Sequence, residues 1–375
     1  NQPAEERLQE ILTSKLFKIV RESSPDSLTK VVPVVGDVTF NSLGISLNDV
    51  KGLREEISVV IHAAANTNMD SALKDLLNTN VGGTKNMIEW AKQLPNLKAF
   101  VHVSTAFSNS DRSDIEERVY PCRVDPHIAI MLHSGLPEDL MDLVDPKLMG
   151  NNKTGYTFSK HLAELLVEEA QYSIPVCIVR PSVVTPANKE PFPGWIDNFK
   201  GINGGLVAMS KGAVRVGLIN KSGILDIAPV DHVVNLILAA AMRVGTAFNV
   251  SSSQTMAPSK NSPPMMYSAI VADVVLTLIG KKPKVGFMQR YTNFHRVLKQ
   301  TTDIVGNDFS MSTNNTTTLY KHLSAADKES FSFNVTEINH EVYIRQSLLG
   351  LRHFAAEEEN QDLPKARENI KRYPQ

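Results

Sequence analysis

Short apolar runs alternate with amphipathic helical patterns along the first two-thirds of the chain. This alternation predicts βαβ units, and hence an α/β fold built on a parallel, Rossmann-like sheet. Val59-Val60-Ile61 is a continuous apolar run, as expected for a strand that is covered on both faces. The predicted strands are 31–35, 58–65, 100–103, 176–179 and 247–250, and the predicted helices are 5–20, 70–94, 156–170 and 231–242.

The chain of 375 residues is long enough for two domains. The segment 108–153 contains four prolines and is predicted to be an irregular insert, of a length that is usually functional, for example as a lid. After residue 253 the sequence becomes rich in Pro, Ser and Asn, and a helical pattern then dominates to residue 375. We therefore predict a domain 1–254 that carries the sheet and a smaller helical domain 255–375.

Composition excludes several classes of function. Lys and Arg number 39 against 40 Asp and Glu, so the net charge of -1 gives no reason to expect nucleic-acid binding. The two cysteines, Cys122 and Cys177, cannot form a disulfide framework, which favours a reducing intracellular compartment. The ten histidines have no metal-ligand spacing, so no metal site is predicted.

One apolar segment, 265–280, could contact a membrane. It is shorter than the roughly 20 residues that a spanning helix needs, and Asp273 at its centre would be costly in hydrocarbon. The lysines that follow it, in Lys281-Lys282-Pro283-Lys284, would suit an anionic leaflet. A buried helix with a solvated end explains the same pattern equally well.

Tyr156 and Lys160 are four residues apart and therefore lie on one face of the predicted helix. A phenol with an ordinary pKa of about 10 exchanges protons poorly at neutral pH. A nearby positive charge lowers that pKa, and such a Tyr can protonate the oxygen of a carbonyl while a hydride attacks its carbon. The alternative reading of this spacing alone is an exposed pair on a helix surface.

Three further features fit a ligand site. Ser104 follows a buried strand at the carboxyl edge of the sheet, where ligands collect in α/β folds, although it could simply end the strand. Asn80 stands beside Gly82-Gly83 within a predicted helix, although Asn and Gly are poor helix formers. Such unfavourable residues mark either a functional site or a simple kink. The small residues of Gly36-Asp37 and Ala63-Ala64-Ala65 would allow the flat ring of a ligand to approach closely. The alternative is that these small residues only allow tight packing of the protein.

These segments together resemble the extended short-chain dehydrogenase/reductase superfamily, and within it the alcohol-forming fatty acyl-CoA reductases, also called the male sterility family. The Pro-Gly-Trp-Ile-Asp-Asn run and the long insert before Tyr156 are the most specific marks. The matching segments are Val31-Val32-Pro33-Val34-Val35-Gly36-Asp37, His62-Ala63-Ala64-Ala65, Asn80-Val81-Gly82-Gly83-Thr84, Ala99-Phe100-Val101-His102-Val103-Ser104-Thr105-Ala106, Tyr156-Thr157-Phe158-Ser159-Lys160, Val179-Arg180-Pro181-Ser182, Pro193-Gly194-Trp195-Ile196-Asp197-Asn198 and Pro229-Val230-Asp231.

The resemblance implies the roles of the catalytic residues. Tyr156 would be the proton donor, and Lys160 would bind the nicotinamide ribose and lower the pKa of Tyr156. Ser104, with Thr105 adjacent, would position the acyl carbonyl, and Asn80 would be the fourth member. The implied reaction is reduction of a long-chain fatty acyl-CoA by NADPH to an aldehyde, and then by a second NADPH to a primary alcohol.

The resemblance also implies a cofactor site and a location. Its residues would be Asp37 and Val38 along the adenine, Ala63, Ala64 and Ala65 along the cofactor backbone, Thr105, Pro181, Ser182 and Val183 beside the nicotinamide, and Arg7 near the 2′-phosphate, although Arg7 could be a plain surface charge. The implied location is the cytosolic face of an intracellular membrane, either peroxisome or endoplasmic reticulum.

The sequence departs from this family at its amino terminus. The Gly-rich turn that would cradle the pyrophosphate is absent, so the first βαβ unit is expected to be missing and the chain to be truncated. Two alternatives therefore stay open at this point. The chain could be an inactive isoform that serves as a binding module, or another extended short-chain reductase that acts on a sterol or a nucleotide sugar.

Overall fold

The computed structural model describes residues 2–210, 226–246, 254–256 and 309–357. Within these ranges the strands are β1 (Val59–His62), β2 (Ala99–Val103), β3 (Asp114–Ile115), β4 (Val176–Val179), β5 (Val183–Thr185), β6 (Ile227–Pro229), β7 (Gln254–Met256) and β8 (Ser310–Met311). The α-helices are α1 (Ala4–Thr13), α2 (Lys18–Ser23), α3 (Leu47–Glu56), α4 (Leu73–Leu76), α5 (Gly83–Ala91), α6 (Pro126–Gly135), α7 (Glu138–Met149), α8 (Gly155–Ala170), α9 (Ile202–Ser210), α10 (Val230–Thr246), α11 (Asn314–His322), α12 (Ala325–Ser330) and α13 (His340–Gly350).

Four parallel strands form the main sheet, in the order β1-β2-β4-β7. The two inner strands β2 and β4 are apolar on both faces except at His102, and are buried along nearly their whole length, as expected where helices cover both sides of a sheet. Phe100 on β2, Ile178 on β4 and Leu162 on α8 belong to the same buried core. The predicted α/β fold with a parallel, Rossmann-like sheet is confirmed.

The predictions for two strands were wrong in part. Residues 31–35 form no strand, because within the described part of the chain they join no ladder, and Val32 and Val35 are exposed. On β1, Val60 and His62 are buried whereas Val59 and Ile61 are each 44% exposed, so only one face of this strand is covered. β1 pairs with β2 alone and stands at one edge of the described sheet.

The helices also differ from the predicted pattern. The helix predicted at 5–20 is interrupted at Ser14, and α1 and α2 replace it. Nearly half of the insert 108–153 is helical, in α6 and α7, whereas the sequence predicted it to be irregular throughout. Asp125 begins α6 by accepting hydrogen bonds from two backbone N–H groups of its first turn, and Pro126 suits the first helical position.

The chain divides into two compact units. The first comprises residues 1–181, 236–257 and 312–325 and contains the main sheet; the second comprises 182–235, 258–311 and 326–375. In the second unit, the hydroxyl of Tyr343 on α13 donates to the carbonyl of Pro186 and is 2.6 Å from the hydroxyl of Thr185. The predicted boundary between 254 and 255 stays a prediction.

Two sequence predictions lie outside the described residues: the strand 247–250 and the apolar segment 265–280. Among the helices that the structure describes, none combines the length and the apolar character needed to cross a membrane.

Candidate active site

The carboxyl ends of three neighbouring strands bring the predicted site residues to one edge of the sheet. Ala63-Ala64-Ala65 follow β1, Ser104 and Thr105 follow β2, and Pro181 comes soon after β4. Backbone hydrogen bonds continue past the strands, from Ser104 to Val179 and from Ala106 to Pro181, and so fix the positions of these loops. Ala63 and Ala64 are exposed. This edge is where ligands bind in open parallel sheets.

Helix α8 brings Tyr156 and Lys160 to the same edge. The helix begins with a capping box, in which Thr154 and Thr157 each bond the other's backbone N–H. From its second turn, Lys160 extends to the end of β2, where its Nζ donates to the carbonyl of Val103 at 2.8 Å. The predicted pair therefore lies against the sheet and is not an exposed pair on a helix surface.

The side chain of Thr105 lies near the phenol of Tyr156. The phenol keeps some exposure, but the surrounding protein removes most of its water and raises its pKa to about 12, against the smaller lowering effect of the Thr105 hydroxyl. Lys160 makes no contribution to this shift. The prediction that the charge of Lys160 lowers the pKa of Tyr156 is therefore wrong for this structure, because the ammonium group is directed to β2. At neutral pH the phenol retains its proton.

The structure separates the roles expected of Ser104 and Thr105. The hydroxyl of Ser104 is buried and makes no hydrogen bond of good geometry within the described residues, although it lies close enough to the carboxylate of Glu164 to help lower its pKa. Thr105 is also buried, and its hydroxyl lies close enough to the phenol of Tyr156 to help lower its pKa. The hydroxyl best placed to act together with Tyr156 is thus that of Thr105, one residue after the one that the sequence favoured.

Lys160 is buried, and within the described part of the chain two of its hydrogen-bond donors have partners. An ammonium group has three N–H donors. Two of them are directed to β2, to the carbonyl of Val103 and to Nε2 of His102 at 3.3 Å. Burial lowers the pKa of Lys160 to about 8, against the raising effect of the Glu164 carboxylate. At neutral pH Lys160 is therefore largely charged, and one N–H is left for a ligand.

Asn80 lies in a single π-helical turn, Leu77–Gly82, between α4 and α5. Its side chain exchanges two hydrogen bonds with the backbone of Asn66, at 2.7 and 3.0 Å, and donates to the hydroxyl of Ser159 at 2.9 Å. π-turns are frequent at functional sites. Asn80 thus joins the loop after β1 to the residue that precedes Lys160.

The other predicted cofactor residues are less closely tied to this edge. Asp37 is exposed and its carboxylate accepts two bonds from Thr39, whereas Val38 packs against Gly83 at the start of α5. Arg7 is exposed on α1, and its guanidinium makes no hydrogen bond or ion pair within the part of the chain that the structure describes. Ser182 and Val183 belong to the second compact unit.

Sequence reasoning missed two groups beneath the site. Glu164 and Arg180 form a fully buried, bidentate ion pair, with N–O distances of 2.9 and 2.7 Å. His62 and His102 lie opposite each other in the β1–β2 register, with ring centroids 5.2 Å apart. For the histidines the available signal was a polar side chain within an otherwise apolar strand, since such groups are buried only with partners.

Burial of His62 gives the structure a specific sensitivity to acid. Burial, and secondarily the charge of Lys160, lowers the pKa of His62 to about 3, so the unfolded chain binds a proton between pH 6.5 and 3 that the folded chain does not. Stability is therefore lost as the pH falls through this window, by about 2 kcal/mol from this residue alone at pH 5.

The matched test is His62→Gln, in which the amide can still donate to the hydroxyl of Thr84, the present partner of His62 at 3.0 Å. Urea unfolding at pH 7 and pH 5 should show that the variant loses less stability on acidification than the wild-type protein does. An equal loss in both proteins would refute the assignment of this acid sensitivity to His62.

Known proteins resemble the chain along nearly its whole length. The NAD-binding model described as male sterility protein matches residues 1–237, and a second male sterility model matches residues 265–358. Fatty acyl-CoA reductase 2 of Mus musculus is 30% identical, with 99% of this chain and 80% of that protein covered. Fatty acyl-CoA reductase 1 of Xenopus laevis is 31% identical, with 98% and 80% covered.

Solved structures support the fold. The terminal R domain of the myxalamid biosynthetic pathway has a TM-score of 0.61 at 22% identity and covers 94% of this chain and 82% of its own. A reductase domain of a nonribosomal peptide synthetase from Mycobacterium tuberculosis has a TM-score of 0.60 at 18% identity, with 93% and 83% covered. The chain therefore belongs to the male sterility family, as an NAD(P)-binding oxidoreductase of the fatty acyl-CoA reductase type.

Proposed function

We propose that the protein reduces a long-chain fatty acyl-CoA to a fatty alcohol through an aldehyde, with NADPH as the reductant. The observation that carries the proposal is a protonated phenol, Tyr156, that lies near the hydroxyl of Thr105 at the carboxyl edge of the sheet, on the same helix as a charged lysine, Lys160. A protonated acid beside a second hydroxyl is what a carbonyl oxygen requires as negative charge develops on it.

Features of the site fit a nicotinamide cofactor. Lys160 keeps one N–H for a sugar hydroxyl, the buried hydroxyl of Ser104 has no hydrogen bond of good geometry in the described residues, and Ala63 and Ala64 present small exposed side chains at the same edge. NADPH, when bound, supplies the hydride. The preference for NADPH over NADH belongs to the proposal and is supported by the resemblance of this chain to the fatty acyl-CoA reductases.

The same side chains would serve two successive reductions. In the first, Tyr156 would give its proton to the carbonyl oxygen as hydride is added to the thioester carbon; the hydroxyl of the resulting hemithioacetal would then lose its proton as the sulfur leaves as the protonated CoA thiol, which gives an aldehyde. In the second, a hydride adds to the aldehyde carbon and the phenol again protonates the oxygen, which yields the alcohol. Each round consumes one reduced cofactor and one proton. Thr105 would hold the oxygen beside Tyr156, with Ser104 as its neighbour, and Lys160 would hold the ribose.

The proposed location is the cytosolic face of a peroxisomal or endoplasmic reticulum membrane. Its support is the sequence of the segment 265–280, which is apolar and is followed by Lys281, Lys282 and Lys284. Basic residues beside an apolar segment favour contact with an anionic leaflet. Fractionation of cells that express the full-length protein would test this location, and recovery in the soluble fraction would contradict it.

The activity is tested with the purified full-length protein, palmitoyl-CoA and NADPH. We expect hexadecanol and two NADP⁺ per acyl chain, detected by gas chromatography and by the loss of NADPH absorbance. Parallel reactions with NADH, with a sterol and with a nucleotide sugar separate this proposal from the other extended reductases. Turnover of a sterol or a nucleotide sugar, without reduction of the thioester, would refute the proposed substrate.

A further inference from the structure

The two histidines beneath the site have no part in the proposed chemistry. Both are buried, His62 at 3% exposure and His102 at 0%, and each lies on a strand whose other described residues are apolar. Burial of a polar side chain costs free energy unless the side chain is hydrogen-bonded. The nearest functional group is the amine of Lys160, 3.3 Å from Nε2 of His102.

The hydrogen-bond roles in this contact follow from the chemistry of the partners. A charged lysine has only donors, so Nε2 of His102 must accept, and the proton of the neutral ring must then be on Nδ1. Burial and the nearby charge of Lys160 lower the pKa of His102 well below its ordinary value, so the ring is neutral. Its Nδ1 is buried and makes no hydrogen bond within the described residues.

His62 is fixed separately and packs beside this contact. The hydroxyl of Thr84 donates to the carbonyl of Asn80 at 2.6 Å, so Nε2 of His62, 3.0 Å from the same hydroxyl, is the donor to its oxygen. The ring of His62 is thereby tied to the π-helical turn and lies 5.2 Å from the ring of His102.

We propose that His102 is a positioning residue for Lys160: its Nε2 and the carbonyl of Val103 together occupy two of the three ammonium donors, and so reserve the third for a ligand. The inference rests on the proposed function for the identity of that ligand, a ribose hydroxyl. The titratable or charged groups around Lys160 are His102 from β2, His62 from β1, and Tyr156 and Glu164 from its own helix, the latter paired with Arg180 after β4.

The test follows the titration of Lys160 itself, in protein labelled with 13C at the lysine Cε and assigned by the signal that is lost in Lys160→Met. In wild-type protein the midpoint should lie near pH 8. His102→Leu removes an acceptor from a buried ammonium and should lower the midpoint by about one pH unit, a tenfold loss of proton affinity. His102→Gln, whose Oε1 can accept in place of Nε2, should restore the midpoint to within a few tenths of a unit.

A control removes a different buried histidine, His161, which lies on the same helix as Lys160. His161 bonds the carbonyl of Tyr120 at 2.9 Å, so His161→Leu should cost stability without moving the titration of Lys160. An unchanged midpoint in His102→Leu, or a glutamine variant that behaves as the leucine variant does, would overturn the proposal. So would the same displacement in His161→Leu.

A second measurement needs no variant and decides the matter if His102→Leu does not fold. The 15N shifts of the His102 ring in wild-type protein at pH 7 should show a protonated Nδ1 and an unprotonated Nε2, and the opposite tautomer would overturn the proposal. Neither measurement requires turnover. Failure to form fatty alcohol would therefore count against the proposed function alone.

Discussion

Tyr156→Phe should leave the fold intact and reduce kcat for fatty alcohol formation by about 10²–10⁴-fold, the range that general acid catalysis contributes. The change removes one oxygen and keeps the ring, so packing at the start of α8 is retained. What disappears is the only proton that the phenol could give to the substrate oxygen. Because burial holds the pKa of Tyr156 at about 12, that proton is present throughout the neutral range in the wild-type protein.

The control for this variant is Tyr172→Phe, since Tyr172 follows the end of α8 and is 89% exposed. It should change kcat by less than a factor of two. Thermal unfolding should give similar Tm values for both variants and for the wild-type protein. Turnover by Tyr156→Phe at the wild-type rate would remove Tyr156 from the mechanism, whatever the resemblance to the family.

A comparison of the two hydroxyl residues after β2 sharpens the same prediction. The hydroxyl of Thr105 lies near the phenol, so Thr105→Val should lower kcat by about 10²–10³-fold, as loss of an oxyanion donor does. Ser104 is directed to Glu164, so Ser104→Ala should have the smaller effect. The reverse order would restore the sequence-based choice of Ser104 as the residue that positions the carbonyl.

Sequence reasoning was most reliable where a local pattern alone determines the structure. The apolar runs of β2 and β4 predicted buried strands, and a helical pattern predicted α8, where the structure has them. With these elements in place, a spacing of four residues directs Tyr156 and Lys160 to one face of one helix. The family resemblance then supplied the roles.

The errors arose where partners distant in sequence decide the outcome. Residues 31–35 have the composition of a strand, but a strand also needs a neighbour to bond, and within the described residues they have none. The sequence could not show whether the hydroxyl of Ser104 or that of Thr105 lies nearer the phenol of Tyr156, because this depends on the conformation of the loop after β2. Nor could it show that the ammonium group of Lys160 is hydrogen-bonded at β2, to the carbonyl of Val103 and to Nε2 of His102.

The ion pair beneath the site was likewise not predictable, because Glu164 and Arg180 lie on separate elements. Glu164 stands one turn after Lys160 on α8, and Arg180 directly follows β4. Beyond the pair, Arg180 donates to the carbonyls of Glu116 and Arg118 at 3.0 and 2.8 Å. One guanidinium thus joins the helix that carries Lys160, the central sheet and the insert. Burial alone would raise the pKa of Glu164, but the charge and hydrogen bonds of Arg180 outweigh it and lower that pKa.

Arg180→Met should therefore destabilise the protein by about 3–5 kcal/mol, because it leaves a buried carboxylate without its countercharge. The loss should show as a lower midpoint of urea unfolding. Glu164→Gln combined with Arg180→Met should recover a large part of it, since no unpaired charge then remains in the interior. The control is Lys92→Met, which removes an exposed ion pair with Glu89 and should cost no more than about 1 kcal/mol.

The comparison of single and double variants separates a charge effect from a packing effect. If loss of the countercharge dominates, the double variant is more stable than Arg180→Met, although it carries one more substitution. If the contacts of Arg180 with the carbonyls of Glu116 and Arg118 dominate, the double variant is no more stable than the single one. Equal stability of Arg180→Met and Lys92→Met would contradict both accounts, and with them the view that this ion pair anchors the helix that carries Tyr156 and Lys160.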